Sequence, residues 1–595
     1  MTHTKSTPLN QGYLYPVDSK DLANLPIIPL QEYPRPNLKR NSYLCLNGSW
    51  DFEISKSSVI PASFTRRILV PFAVESKVSG VEKLVEPDDY LYYRREVTLP
   101  EGFIKKHLLL HFDGVDQTCD VYLNDEKVFS HVGGYTKFTV EVPLGLASHF
   151  TLTLRVRDVT DQSYHERGKQ RLVPNGWFYT SSSGIYFPVW MESVGSNYVE
   201  QVFFRPNYDE KNVAVRIVSP REEKARITIG KDSFAIKTNQ EAIIPLYPFR
   251  AWSPKDPYLY PVTIKLKEDE VSSYFGVRKI EIRLVKGYQQ IFLNDEKIFL
   301  TGLLDQGYFY PSNLTPFDYA DYTRDVHNAK ALGFNVLRKH IKIEEDLFYY
   351  ECDKQGMLVI QDFPCGGTPY RFWNVVKPRL FDNTNDYSLI KGYKYLSRQD
   401  EAGRKEFDHE CQQWTDSLMN YPSIIIYTIF NEGWGEFDPR EHYLSLKAKD
   451  PSRLYDSASG WYISEYSDFY SIHAYDFTHH ERKSKYGHPF MLSEIGGIAL
   501  KIDDHFYFPK VYGHHTCKTR KALTRKYQHL YEKDIIPLKK KGCLVGAIYT
   551  QLSDCETEAN GLFTFDRKVL KIDARLLRKI NAELTELSLD SEESK

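Results

Sequence analysis

From Lys286 onward the chain repeats one unit: a short apolar run, then a longer stretch with helical spacing. Eight such runs can be read: IFLTGLL (298–304), NVLRKH (335–340), LVIQDF (358–363), IIIYTIF (424–430), RLYDSAS (453–459), DFYSIHAY (468–475), PFMLSE (489–494) and LVGAIYT (544–550). Short, nearly continuous apolar runs mark strands covered on both faces, and parallel strands of that kind are joined by helical crossovers. Before the fourth run, Phe407, Cys411, Trp414 and Leu418 recur at i, i+4, i+7 and i+11, one apolar stripe on a helix. Eight βα units over residues 286–595 predict a (β/α)8 TIM barrel.

The N-terminal half follows another rhythm. After an extended, Pro-rich lead-in, residues 41–195 alternate apolar and polar residues in short runs such as YLYYRREVTL (90–99), CDVYLNDEKVF (119–129) and FTLTLRVRDV (150–159), punctuated by Asn-Gly, Asp-Gly and Gly-Gly. That spacing predicts an all-β sandwich, and with the lead-in it forms a domain spanning 1–195. A second β segment, 196–285, has the length of an immunoglobulin-like sandwich. The chain is therefore read as multidomain: two β-sandwiches and a barrel.

Net charge is −2, which offers no basic face to nucleic acid or to an anionic membrane. No apolar run approaches the ~18–20 residues of a membrane span, and the N-terminus shows no charged segment followed by an apolar one. The eight cysteines form no CxxC pair, so reduced thiols and a cytoplasmic location are expected. Aromatics make up 14% of residues, with 43 Tyr; such rings stack on sugars but also suit strands.

A barrel carries its active site at the C-terminal ends of its strands. Those ends supply Arg338 and His340 on strand two, Asp362 on three, Asn431 and Glu432 on four, His473 and Tyr475 on six, Glu494 on seven and Tyr549 on eight; Trp434 follows in the loop after Glu432. A single Glu at a strand end is often a helix cap or an ion-pair partner. Two of them, each after a buried strand and before a Gly-containing loop (NEGWG, SEIGG), are the equipment for glycoside hydrolysis. There is no dinucleotide fingerprint, P-loop, HExxH or zinc-spaced Cys/His set.

The motifs TIFNEGWGEF and MLSEIGG resemble the acid/base and nucleophile segments of glycoside hydrolase family 2. LNGSWDF (46–52), FDGVDQTCDVYLN (112–124) and SSSGIYFPVWMESV (181–194) are similar to its N-terminal jelly-roll sugar-binding domain, and AWSPKDPYLYPV (251–262) to the end of its Ig-like domain. LNDEKIFLTGLLDQG (293–307) is like its entry into the barrel. The resemblance implies Glu432 as general acid/base and Glu494 as nucleophile, with retention of configuration and carboxyls ~5–5.5 Å apart. It implies Asn431 on the sugar 2-hydroxyl, Tyr475 orienting the nucleophile, and Arg338 and His340 bonding to the nucleophile and the sugar. Asp362, His473, Trp434 and Tyr549 are taken as further substrate-binding positions.

Two departures bear on substrate. The stretch after strand three reads QDFPCGGTPY, without the acidic and His ligands of the metal-dependent galactosidases, so neither a metal nor another cofactor is expected. Before GLFTFDRK (561–568), where the glucuronidases carry Asn-x-Lys, stand Glu558, Ala559 and Asn560. A Glu there repels a uronate, so the expectation is an exo-acting enzyme for a neutral glycone, β-galactoside first. Glucuronide, mannoside, and pentosyl or galactofuranosyl substrates are alternatives, and a carbohydrate-binding protein without activity is a remote one. A small carbohydrate is the expected partner, with self-association as in many relatives. The polar loop 160–176, with Asp161, His165 and Arg167, is expected to reach the barrel mouth and narrow it.

Overall fold

The computed structural model describes residues 25–146, 148–375, 385–475 and 479–586, with Leu14 and Leu22; most of the lead-in and the acidic tail LDSEESK lie outside the described residues. The first domain is two antiparallel sheets face to face. One has four strands, in the order Leu44–Cys45, Val189–Val194, His107–Phe112 and Phe138–Val142. The other has six, running Arg66–Val70, Gly48–Ser55, Tyr90–Thr98, His149–Arg157, Thr118–Leu123 and Glu126–Val132. Alternation explains the packing: Phe150, Leu152, Leu154 and Val156 point inward from one strand and meet Leu108, Leu110, Phe112 and Met191 of the facing sheet.

The second domain has seven strands in sheets of three and four, around Val213, Val215, Ile217, Ile227, Ile264 and Phe275. A three-stranded meander follows: Ile280–Val285, Tyr288–Leu293 and Glu296–Ile298. Its first strand falls within the segment assigned to the Ig-like domain from sequence. Its side chains Ile280, Ile291 and Leu293 nevertheless pack with inward residues of the barrel, Leu300, Val336, Leu358 and Ile548.

All eight barrel strands form: β1 (Leu300–Asp305), β2 (Val336–Lys339), β3 (Leu358–Asp362), β4 (Ile424–Thr428), β5 (Leu454–Asp456), β6 (Tyr470–Ala474), β7 (Phe490–Gly496) and β8 (Leu544–Thr550). They hydrogen-bond in parallel in the order β5-β4-β3-β2-β1-β8-β7-β6. The seam between β5 and β6 is bridged by Ser471 Oγ donating to Asp456 at 2.6 Å and by Asp468 N donating to the Tyr455 carbonyl at 2.7 Å. The βα rhythm is incomplete. Among the described residues no helix follows β5 or β6, and loops make those crossovers.

Helix α1 (Glu401–Leu418) starts at Asp400, whose carboxylate accepts from the Ala402 and Gly403 amides, and buries the predicted stripe Phe407, Cys411, Trp414 and Leu418. Trp414 Nε1 also donates to the Tyr135 carbonyl of the first domain at 3.0 Å, tying the barrel to the sandwich. Trp414→Ala is expected to cost about 3–5 kcal/mol through the cavity it leaves. A lowered denaturant midpoint for barrel unfolding would report it; an unchanged midpoint would mean that this stripe is not a packing element.

Candidate active site

The end of β4 turns sharply. Glu432 lies in left-handed backbone at φ 54°, followed by Gly433 at 72° and Gly435 at 67°. A Cβ on Gly433 would meet the Tyr462 ring at 2.3 Å, and one on Gly435 would meet the Gly366 carbonyl oxygen at 2.2 Å, so only glycine fits this loop. The Glu432 amide donates to the Ser459 carbonyl at 2.8 Å, which fixes the turn at the barrel rim. A glutamate in this conformation carries backbone strain of the kind that gathers at functional sites.

Glu494 arrives differently. In β7, Leu492 pairs with Ile472, but the next partner, His473, faces Glu494, so the register shifts by one residue. Strict alternation would put Glu494 on the same side as Leu492, which packs outward against the helical layer. The bulge re-aims it into the mouth. The result is a tight cluster: one carboxylate oxygen from each of Glu432 and Glu494 and a ring nitrogen of His473 lie within 4.8 Å of one another.

The cluster is held by a polar network. Arg338 donates to Glu494 (3.1 Å), Asp362 (3.0 Å), the Ser493 carbonyl (3.0 Å) and Asn431 Oδ1 (2.8 Å). Burial opposes its charge, but Asp362 and Glu494 outweigh burial and hold its pKa above the ordinary arginine value. Tyr475 donates to the other Glu494 oxygen at 2.5 Å. Burial, reinforced by Glu494, holds this phenol well above 10, so it stays a donor. Glu494 thus accepts from both a guanidinium and a phenol, and the two bonds fix its orientation.

Burial drives His473 down to about 3, so its ring is neutral. Its Nε2 faces an Arg338 N–H at 3.4 Å and must accept, which leaves Nδ1–H to donate to Glu432 at 2.7 Å. One oxygen of Glu432 is thereby held against the barrel rim. His340 is likewise neutral, pushed far down by burial; it binds Asp362 through Nδ1 at 2.7 Å and turns Nε2 toward Glu494 at 3.8 Å. Asn431 is buried with its Oδ1 taken by Arg338 and its Nδ2 without a protein partner.

The pocket encloses about 520 Å³ of space, open solvent at its mouth included. Loop 160–176 of the first domain closes one side. Glu166 makes a two-point ion pair with Arg398 at 2.6 and 2.7 Å, and Arg398 Nε donates to the Gly435 carbonyl at 2.7 Å. The Arg167 and Gly168 amides donate to the Cys365 carbonyl at 2.9 and 3.0 Å. His165 bonds Glu406, Asp161 pairs with Arg171, and Arg167 donates to the Gly367 carbonyl. These residues fasten the loop; Lys169 within it and Trp177 just after it line the pocket.

Of the positions expected from sequence, Glu432, Glu494, His340, Trp434 and Tyr475 line the pocket. Arg338, Asn431 and His473 sit directly behind them. Asp362 does not reach the pocket: its oxygens bind Arg338 and His340, burial lifts its carboxyl to about 6, and it positions both partners. Tyr549 also does not. On β8, Ile548 and Thr550 point inward, so Tyr549 points outward and packs its ring 5.0 Å from Tyr527. Thr550 takes the inward place and bonds the Tyr475 hydroxyl at 2.8 Å. Trp461, Gln306, Tyr512 and His514 line the pocket from loops where no strand pattern marks them.

Among the described residues, the sets of three suited to a cation are Glu432–His473–Glu494 and Glu86–Asp88–Asp89, the latter already paired with Lys56. The eight cysteines are unpaired, and no described helix is long and apolar enough to cross a membrane.

Comparison with known proteins matches three family models in order along the chain. They are described as glycosyl hydrolase 2 galactose-binding domain-like (75–185), glycosyl hydrolases family 2 (197–278), and glycosyl hydrolases family 2, TIM barrel domain (283–584). A β-galactosidase of Thermoanaerobacter pseudethanolicus is 25% identical over 47% of this chain and 40% of its own length, so the chain spans less than half of that relative. A β-glucuronidase of Streptococcus agalactiae is 21% identical over 67% of this chain and 68% of its own. Among solved structures, a family 2 β-galacturonidase from Eisenbergiella tayi bound to galacturonate superposes with a TM-score of 0.68 at 20% identity, covering 93% of this chain and 99% of that one. A β-D-glucuronidase of Dictyoglomus thermophilum superposes at 0.71 with 16% identity, over 92% and 98%. At these identities the structural likeness is one of fold.

Proposed function

The chain belongs to glycoside hydrolase family 2, and from that premise we propose that it is a retaining exo-β-glycosidase that removes one terminal sugar by double displacement. The observation that carries this is the pair Glu432, in the turn after β4, and Glu494, on β7, with facing oxygens within 4.8 Å. Retaining enzymes hold their carboxyls ~5–5.5 Å apart and inverting enzymes ~6.5–9.5 Å, and facing oxygens this close support the retaining reading. Glu494, oriented by its Arg338 and Tyr475 hydrogen bonds, attacks the anomeric carbon. Glu432 delivers its proton to the departing oxygen, then removes one from the incoming water. Asn431 Nδ2 is the free donor for the 2-hydroxyl. The wall built by Lys169 and Trp177 makes the site a pocket and favours exo action on small substrates. Eight unpaired cysteines support a cytoplasmic location.

For the glycone, the sequence favours a neutral sugar, β-galactoside first, through the sign of Glu558. Lys169 on the same wall favours a second reading, an acidic glycone, taken up below.

The reaction class is tested by following hydrolysis of an aryl β-glycoside by NMR. The β-anomer is expected first, with the α-anomer appearing only by mutarotation; α-anomer first would reject double displacement. Tyr475→Phe removes one of two charged hydrogen bonds to Glu494 and is expected to lower kcat about 10- to 100-fold. An unchanged kcat would mean that Arg338 alone holds the nucleophile.

A further inference from the structure

The lysines inside this molecule are otherwise well bonded. Lys339 meets Asp305 and Glu344, Lys342 meets Glu344 and the Gly307 and Leu314 carbonyls, and Lys571 meets Asp554 and the Leu500 and Ala559 carbonyls. Lys169 breaks this pattern. It is 7% exposed, yet among the described residues no acceptor stands within hydrogen-bonding reach of its ammonium, which lies over the faces of Tyr179 and Trp434, 5.6 Å from each ring centroid. A buried ammonium with three open donors is costly until a ligand supplies acceptors. The nearby carboxylate is occupied: Glu558 accepts from the Tyr179 hydroxyl and from Asn560 Nδ2, and lies beyond ion-pair distance of Lys169.

The same pocket holds two more buried polar groups without protein partners, Trp434 Nε1 and both amide atoms of Gln306. Together they offer the three Lys169 protons, the indole N–H and the Gln306 amide N–H groups against one acceptor, the Gln306 oxygen. Hydroxyls need an acceptor for each proton they carry. An anion only accepts, and this wall suits an anion.

We propose that Lys169, with Gln306 and Trp434, anchors an anionic substituent on the glycone, so that the site selects acidic β-glycosides over their neutral counterparts. This rests on the exo-glycosidase reading. A uronic carboxylate and a sulfate ester share the chemistry, and the two sources are separated by the substrates used. Glu558, read from sequence as a repelling charge, becomes the group that holds Tyr179 and Asn560 in the wall. Reading the barrel strand ends alone does not reveal the anchor, because Lys169 comes from the first domain.

The test compares aryl β-glycosides that differ only at C6: glucuronide with glucoside, galacturonide with galactoside, and galactoside 6-sulfate with galactoside. Each is run on wild type, Lys169→Met and Lys169→Arg, with thermal midpoints checked. Wild type is expected to prefer one acidic member in kcat/KM. In Lys169→Met the acidic-to-neutral ratio should fall about 10- to 100-fold, mainly through KM, and Lys169→Arg should recover part of it. Preference for a neutral sugar in wild type, or equal loss on both classes in Lys169→Met, overturns the anchor and leaves the glycosidase reading standing. If folded protein cleaves no member, the glycosidase reading fails instead. The anchor is then decided by calorimetry with free galacturonate, glucuronate and galactose: binding of an acid that Lys169→Met abolishes supports it, and no discrimination between acid and neutral sugar rejects it.

Discussion

Glu494→Gln should lower turnover by at least ~10⁴-fold on every substrate, activated aryl glycosides included. The amide keeps the shape and can still accept from Arg338, but it cannot attack the anomeric carbon. Loss of one acidic side chain next to Arg338 also leaves that guanidinium with Asp362 as its remaining carboxylate partner, so a modest change in thermal midpoint is expected beside the kinetic loss. Kinetics and stability separate the two effects: a folded protein without turnover identifies the nucleophile. Small anions such as azide should restore turnover in Glu494→Ala by entering the vacated space, giving an α-glycosyl azide. A rate near wild type in a folded Glu494→Gln would remove this residue from the chemistry.

Glu432→Gln has a different signature. Without the acid, cleavage depends on how well the leaving group departs unaided. Loss of ~10²- to 10⁴-fold is expected on alkyl glycosides and disaccharides, and much less on glycosides of acidic phenols. With those good leaving groups the second step, which needs Glu432 as base, becomes limiting, so KM falls together with kcat. Azide should accelerate that step and yield a β-glycosyl azide. His473 is neutral and donates to Glu432, so it cannot replace the missing proton. Equal losses on good and poor leaving groups would contradict the assignment of acid.

Much of this architecture is legible in the sequence because it rests on local, periodic signals. Apolar runs located all eight barrel strands, and reading their C-terminal ends brought Glu432 and Glu494 together. What escaped is not periodic. The bulge in β7 that aims Glu494 is a pairing irregularity, visible only against β6 and β8. Among the described residues no helix follows β5 or β6, and the polar stretches there carry no distinctive pattern. Tyr549 stands one position before the inward-facing residue of the β8 end, Thr550. Counting inward residues by twos from Ile548 would have selected Thr550. Loop 160–176 was legible as a loop directed at the barrel, but its sequence did not separate the residues that fasten it, Glu166 and Arg167, from the one that enters, Lys169.

Trapping the covalent intermediate tests the central claim most directly. A 2-deoxy-2-fluoro aryl β-glycoside of the preferred sugar slows both steps, the second more than the first, and leaves the glycosyl group on the nucleophile. The expected result is time-dependent inactivation, one glycosyl adduct per chain, and a labelled peptide in which the ester maps to Glu494. Labelling of another carboxylate, or hydrolysis of the parent substrate by a protein that never acquires an adduct, would contradict it.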